Sequence, residues 1–547
     1  MIIRESTDEE FKAKWFGTTV ETPSEASITE VQQILDAAEE LPSVIDSQIV
    51  KKTVLQLDKA ISRNQQLRMR FSDDPLKFVD AEADLAAELK NMTRLSAAPE
   101  LYPQVIALNA HKAVVELLAH DNSDIVLLAI ALLDELTDED VVTQTSVNGL
   151  QGMNSLIQSL VKEDCLSLLA TTLDRLNEDS SDDEKQGVFN ILSVFENLVG
   201  VDPSLAERIV NETNLLPWLL SRVSVKTFDS VRQYATELMA ILLQTSKPNR
   251  LRLVALGGID TVLRVVAQYR RKDPKDDDEV ELMENMFNVL CLCLTETEAK
   301  QAFLDCEGLE LMLLMIKGKN MARMKALKTI DHALLGDSCS MPCAKFVEVL
   351  GLKTVFSAFM KKHARKFKKE YPSTYSSRLE DEHLVSIIAS LFKHLSDPLH
   401  RERLVNKFVE SDFEKSHQLL LLLRQYIAKM DSANQQIAET RRRREQEGVG
   451  EDEPQDDAED YLVLLDAGLF TLQLVCFIMA YLCRENAKVK DFLVAQFAAN
   501  GDSVEVIQTV LNEYANNLGN DEEVDENVEN ERERILLLSA LLSVDAT

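Results

Sequence analysis

The sequence predicts an all-α protein built from stacked helical repeats, and three observations carry that prediction. Only 16 Gly and 13 Pro punctuate 547 residues in which Leu, Ala, Glu and Val dominate, the composition of long helices joined by short turns. Apolar residues recur at three- and four-residue intervals along most of the chain. One layout, a short amphipathic helix, a Gly or Asn turn and a second apolar helix, returns at a nearly constant interval. At 45% hydrophobic content a chain of this length buries a large core, which excludes a wholly disordered protein.

The elements follow in order. Helical patterns over Ile28–Leu41, Ser43–Met69 and Leu76–Leu95 predict an N-terminal helical cap over residues 1–98. The repeated layout begins less exactly with VIALNAHKAVVELLA from Val105. It continues as SLAERIVNETNLLPWLL from Ser204, RLRLVALGGIDTVLRVV from Arg250, AKQAFLDCEGLELMLLMI from Ala299 and CAKFVEVLGLKTVFSAFM from Cys343. With the turns placed at Ala110, Asn214, Gly258, Gly308 and Gly351, the last three spacings are 44, 50 and 43 residues. Armadillo and HEAT repeats run to roughly 40–47 residues. The interval from Ala110 to Asn214 holds one further unit.

A longer apolar helix follows each unit: SDIVLLAIALLDELT, DEKQGVFNILSVFENLV, SVRQYATELMAILLQ, VELMENMFNVLCLCLT, RMKALKTIDHALLG, DEHLVSIIASLFKHL and GLFTLQLVCFIMAYLC. Its apolar residues cover more than a third of the circumference, as packing against neighbours on both sides requires. A short helix, a Gly turn and two longer helices make the three-helix armadillo unit rather than the two-helix HEAT unit. The fold expected is therefore an armadillo-repeat right-handed superhelical solenoid over residues 99–440, with caps at both ends because no unit buries its apolar face alone. A charged insert at 361–382 and a charged linker at 441–460 are expected as solvated loops, as are RRKDPKDDDE from Arg270 and NDEEVDENVENERER from Asn520. Residues 461–547 are expected to form a last repeat and capping helices.

Charge and cysteine usage limit the function classes. With 92 acidic against 59 basic residues the net charge is −33, which disfavours direct nucleic-acid binding as the main activity and favours basic partners. Eight cysteines sit mostly in apolar helical runs, as in a reducing compartment. No secretory signal is apparent, and the apolar run Tyr461–Cys483, interrupted by Asp466, Gly468 and Gln473, reads as a buried helix rather than a membrane span. Nucleotide-binding, hydrolase and metalloprotease motifs do not appear, so the expectation is a non-enzyme with no cofactor and no metal. His332, Cys339, Cys343 and His363 lack zinc-knuckle spacing, and Cys291 with Cys293 are read as buried thiols rather than a redox pair.

The longest helix of an armadillo unit supplies the residues that read a ligand. Importin-alpha proteins place Trp four residues before Asn there. Aligned on the apolar frame, the Asn positions of this chain are Glu135, Asn197, Leu243, Cys293, His332, His394 and Tyr481. The Trp positions are Ala131, Ser193, Met239, Val289, Lys328, Ser390 and Phe477. Only Asn197 fits, which disfavours the alternative of a nuclear transport adaptor carrying basic cargo. Asp134, Glu135 and Glu196 remain as an acidic lining for Lys or Arg side chains, with Asn197, His332 and His394 as further groove candidates. Lys361, Lys362, Arg365, Lys366, Lys368 and Lys369 form the strongest basic cluster, a localisation signal or a contact for an acidic partner.

From DEEFKAKWFG through YPSTYSSRLEDEH to the YLVLLDAGLFTLQLVCFIMAYLC block, the chain resembles the beta-catenin-like protein 1 family over nearly its whole length. The resemblance implies a nuclear armadillo protein associated with the spliceosome and its nineteen complex. Such proteins bind basic nuclear-localisation segments of a Myb-related subunit and another splicing factor, and vertebrate members also bind activation-induced deaminase. The broken apolar run gives no expectation of a membrane partner, and a homodimer stays open. Family members commonly begin with a basic N-terminal extension, whereas this chain starts almost at the helical cap. Import is then expected to depend on an internal cluster, a partner or a longer N-terminus.

Overall fold

The computed structural model describes residues 45–138, 147–318, 320–336, 338–362, 364–447, 454–500, 503–518 and 526–543. Among these the regular structure is helical, with no strand. The expected helix Ile28–Leu41 and His363 lie outside them. The chain divides into two compact units, residues 1–113 with 140–156, and residues 114–139 with 157–547.

The first unit opens with α1 (Ser47–Arg70), which starts where the Asp46 carboxylate accepts from the backbone N–H of Gln48 and Ile49. It packs along α2 (Val79–Met92), with Val50, Val54 and Leu57 of α1 and Ala81, Leu85 and Leu89 of α2 all buried. Arg63–Asp84 and Arg68–Glu82 pair across the two helices. The helix α3 (Tyr102–Ala107) follows, and α4 (Ala110–Leu117) crosses the boundary between the units.

The second unit continues with the long helix α5 (Ser123–Thr137). The next repeat is α6 (Val147–Lys162, which begins in the first unit), α7 (Cys165–Arg175) and α8 (Asp182–Val201). Then come α9 (Leu205–Glu212), α10 (Leu215–Val223) and α11 (Ser230–Gln244), followed by α12 (Lys247–Ala255), α13 (Gly258–Val266) and α14 (Asp277–Cys293). Two more repeats are α15 (Thr297–Asp305), α16 (Gly308–Lys317) and α17 (Arg323–Leu334), then α18 (Ser340–Glu348), α19 (Gly351–Phe359), α20 (Ala364–Glu370) and α21 (Ser377–His394). Apart from α20, the repeat elements are those read from the periodicity, with α5 and α11 matching residue for residue.

The glycines at the turns have a packing cause. A Cβ on Gly258, Gly308 or Gly351 would stand within 2.6 Å of the side chain five residues earlier, Leu253, Phe303 or Phe346. Glycine at the start of the second helix lets that side chain fill the corner between the two short helices. The residue before it turns left-handed, with φ +73° at Gly257, +56° at Glu307 and +64° at Leu350. In the second unit the third helices α5, α8, α11, α14, α17 and α21 pack each on the next, and their buried flanks form one continuous core.

The C-terminal region differs from the middle. Residues Pro398–Glu447 form α22, one helical run broken at Glu410–Phe413, where three successive residues adopt positive φ. Beyond it lie α23 (Pro454–Ala467), α24 (Leu469–Glu485), α25 (Ala487–Asn500), α26 (Glu505–Asn517) and α27 (Glu526–Ser543). The apolar run Tyr461–Cys483 bends by 64° at Gly468, and no single described helix is long and apolar enough to cross a membrane. Gly468 has φ +106°, and a Cβ there would stand 2.5 Å from the Tyr426 ring. Nearly every side chain of α24 is buried.

The charged segments correct the expectation of solvated loops. Within the insert 361–382, α20 forms and Phe367, Tyr375, Glu380 and Asp381 are buried. The Arg323 guanidinium lies 4.5 Å over the Phe367 ring and pairs with Glu380 at 2.6 Å, while the Tyr375 hydroxyl donates to Glu380 at 2.6 Å. The Tyr371 hydroxyl donates to Asp273 at 2.8 Å, tying the insert to the loop before α14. Arg441 and Arg444 of the expected linker continue α22 and pair with Asp460 at 2.6 Å and Glu459 at 3.0 Å on α23. A polar sequence is helical here because its charges find partners distant in the chain.

Candidate functional site

Helical spacing alone puts Asp134 and Glu135 at the C-terminal end of α5 and Glu196 and Asn197 toward the end of α8. Packing of α5 on α8 then brings them together. The Asn197 carboxamide donates to Asp134 Oδ1 and to the Thr137 hydroxyl, each at 3.4 Å. Asn197 is 9% exposed, so it corrects the expectation of a partner-facing asparagine: it orients Asp134 from behind. Glu135 is exposed and Glu196 half-buried, accepting from the Tyr234 hydroxyl at 2.5 Å. Tyr234 is stacked on Phe189, ring centroids 5.8 Å apart.

Burial, opposed by a hydrogen bond from Ser193 and reinforced by Glu135 and Asp138, raises the Asp134 carboxyl to about 6. The Tyr234 hydroxyl is also pushed up, first by burial and then by Glu196. Glu237 of α11 is raised as well, by burial and then by Glu196 and Glu281. Carboxylates thus succeed one another across α5, α8, α11 and α14, close enough to raise one another's proton affinity. Glu237 and Glu281 were not singled out in the sequence, where nothing separates them from ordinary surface acids.

Beyond α14 the sign changes. Lys325 of α17 pairs with Glu284 at 3.0 Å, and Lys328 and His332 line a cleft of about 430 Å³ that Glu237 also lines. Burial lowers the His332 imidazole below its ordinary value, with Lys328, His383 and Lys300 acting in the same direction against Asp331. The imidazole is therefore neutral near pH 7. His394 is half-buried at the end of α21, four helices along the series from Asn197.

The apolar frame used to align ligand-facing positions fails on several helices. Leu243, Cys293, Met239 and Val289 are buried, as are Ser390, Phe477 and Tyr481. Gln244, Asn285, Asn288 and Leu292 face the cleft instead. A third helix packed on both flanks has so wide an apolar stripe that the frame slips by a residue without disturbing the pattern.

The basic cluster is smaller than expected. Lys361 turns inward, pairing with Asp381 at 2.5 Å and Glu380 at 3.4 Å, which removes it from the set. Lys362, Arg365, Lys366, Lys368 and Lys369 are exposed around the buried Phe367. Burial pushes the Cys291 thiol up to about 11 and the Cys293 thiol to about 12, which leaves neither a nucleophile at neutral pH. Cys339 meets the Lys300 ammonium at 3.0 Å, and among the described residues no group of three His, Cys, Asp or Glu is arranged to hold a metal.

Residues 29–512 match the family described as catenin-beta-like, Arm-motif containing nuclear. The human beta-catenin-like protein 1 is 38% identical over 494 residues, covering 90% of this chain and 85% of that one. The Schizosaccharomyces pombe homolog is 34% identical over 508 residues, covering 92% and 85%. Among solved structures, one from work on a phosphorylation switch between cadherin and beta-catenin aligns over 94% of each chain at 14% identity and TM-score 0.42. A designed armadillo repeat protein for modular peptide recognition aligns over 50% of this chain and 98% of its own at 16% identity and TM-score 0.35. With its three-helix units and a match over most of its length, this chain belongs to the catenin-beta-like, Arm-motif family.

Proposed function

We propose that this protein is a non-enzymatic scaffold of the nucleus, associated with the spliceosome and its nineteen complex. In this role it holds basic, nuclear-localisation-type segments of splicing factors along its third helices. The observation that carries the reading is the succession Asp134, Glu135, Glu196, Glu237 and Glu281 on the third helices of four consecutive repeats. Lys and Arg side chains of an extended segment neutralise such a series and relieve the repulsion among carboxylates that adds to burial in raising Asp134 and Glu237. The net charge of −33 steers basic segments toward the protein at long range. The nuclear description of the matched family agrees with this setting.

The test is binding of Lys/Arg-rich segments of splicing factors to the full chain, followed by fluorescence anisotropy. Charge reversal of Asp134, Glu135 and Glu196 to Lys is expected to weaken binding at least tenfold, and added salt to weaken wild-type binding further. Unchanged affinity in the triple variant rejects this site. The transport-adaptor alternative has less support, since a Trp/Asn ladder needs tryptophans on the third helices, and α5, α8, α11, α14, α17 and α21 carry none, Trp218 lying on α10.

A further inference from the structure

The cleft formed by α11, α14 and α17 is lined by an acid from α11 and a base from α17. Glu237 stands on α11 and Lys328 on α17, both partly exposed, and among the described residues neither belongs to an ion pair. Glu196 and Glu281 extend the negative end. Ile241 of α11 and Leu292 of α14, both partly exposed, add apolar surface to the lining of the same cleft. In the α14 wall, the Asn285 carboxamide nitrogen is buried without a hydrogen-bond partner among the described residues.

Each feature asks for a different group. A buried N–H without an acceptor carries a desolvation cost that a carbonyl oxygen removes. A lining that is part aliphatic and part polar takes one apolar side chain. Two opposite, unpaired charges in one cleft are complemented together only by a ligand that carries a cation and an anion in matching order.

We propose that this cleft binds an extended peptide of mixed charge, with a basic residue toward Glu237, an apolar side chain on Ile241 and Leu292, and an acidic residue toward Lys328, its main-chain carbonyl accepting from Asn285. The inference rests on the reading of the third helices as a peptide-binding face and narrows its ligand. The face takes basic residues along α5, α8 and α11 but rejects them at α17. A uniformly basic segment therefore gains nothing by extending past α14, because its next cation meets Lys328.

The experiment uses the full chain and three labelled nine-residue peptides with the same central Leu. One carries two Lys on one side and two Glu on the other, one is Lys throughout these positions and one is Glu throughout. Anisotropy is expected to give the mixed peptide an affinity about tenfold above either uniform one. Lys328→Glu is expected to reverse the order of the mixed and all-Lys peptides, Glu237→Lys to make the all-Glu peptide the tightest, and Asn285→Ala to weaken all three. Both charged side chains are partly solvated, so circular dichroism should report an intact fold for each variant. If the all-Lys peptide binds wild type as tightly as the mixed one and Lys328→Glu changes nothing, the mixed-charge cleft is wrong. In that case sensitivity to the reversal of Asp134, Glu135 and Glu196 keeps the broader reading alive. If no peptide binds wild type, both readings fall.

Discussion

The strongest quantitative prediction concerns Asp134→Asn. Asparagine is nearly isosteric and its carbonyl still accepts from Asn197, whose nitrogen lies 3.4 Å from Asp134 Oδ1. The substitution therefore removes a charge while keeping the contacts. In the folded protein the carboxyl is raised from 3.8 to about 6, chiefly by burial. A raised folded value means that the native state holds its proton more tightly than the unfolded chain. The associated stability is fully present below pH 3.8 and is lost as pH rises through about 6. The full gap corresponds to about 3 kcal/mol at neutral pH, and partial access to water reduces this to about 2 kcal/mol. Asp134→Asn should thus stabilise α5 and α8 by about 2 kcal/mol at pH 7.5, and by about a third of that at pH 4.5. Hydrogen exchange of peptides from these two helices, corrected for intrinsic rates, measures the effect locally, which matters because long repeat arrays need not unfold in two states. The same variant should bind a Lys/Arg-rich peptide several-fold more weakly than wild type at pH 7.5, with the difference shrinking at pH 5 as Asp134 in wild type takes up its proton. Lower protection in the variant at pH 7.5, or a gain independent of pH, would refute the account of a carboxylate kept charged at the expense of stability.

Two further outcomes test the packing. Glu380→Ala strands Arg323, which is 6% exposed on its side chain, and removes the acceptor of Tyr375. It should cost about 3–5 kcal/mol and make the insert around Arg365–Lys369 cleavable by trypsin under native conditions, where wild type resists. Gly351→Ala places a Cβ 2.5 Å from the Phe346 ring and should cost about 1–3 kcal/mol, whereas Gly257→Ala meets no atom within 4 Å and should cost about 1 kcal/mol from its φ of +73° alone; urea midpoints of the two variants report the difference.

How much of the site could be read beforehand follows from the same contacts. Asp134, Glu135 and Glu196 were legible because they end long apolar helices on the polar side of the stripe. Glu237 was not, because its significance comes from Glu196 and Glu281 on neighbouring helices. Lys361 read as one of six clustered cations, and its inward turn depends on a left-handed φ of +54° and on carboxylates nineteen and twenty residues away.

The sequence by itself determined the apolar helices of the repeats, their grouping in threes and the glycine corners. These depend on interactions within a turn or two of helix, and such interactions leave a period in the chain. Tertiary structure alone decided which side of α11 and α14 meets solvent, that Asn197 serves Asp134 rather than a ligand, and that the insert is anchored by Arg323 and Glu380, 57 residues apart. Those outcomes are set by pairings between distant segments, where a change of one residue in register alters the partner but leaves the apolar pattern as it was.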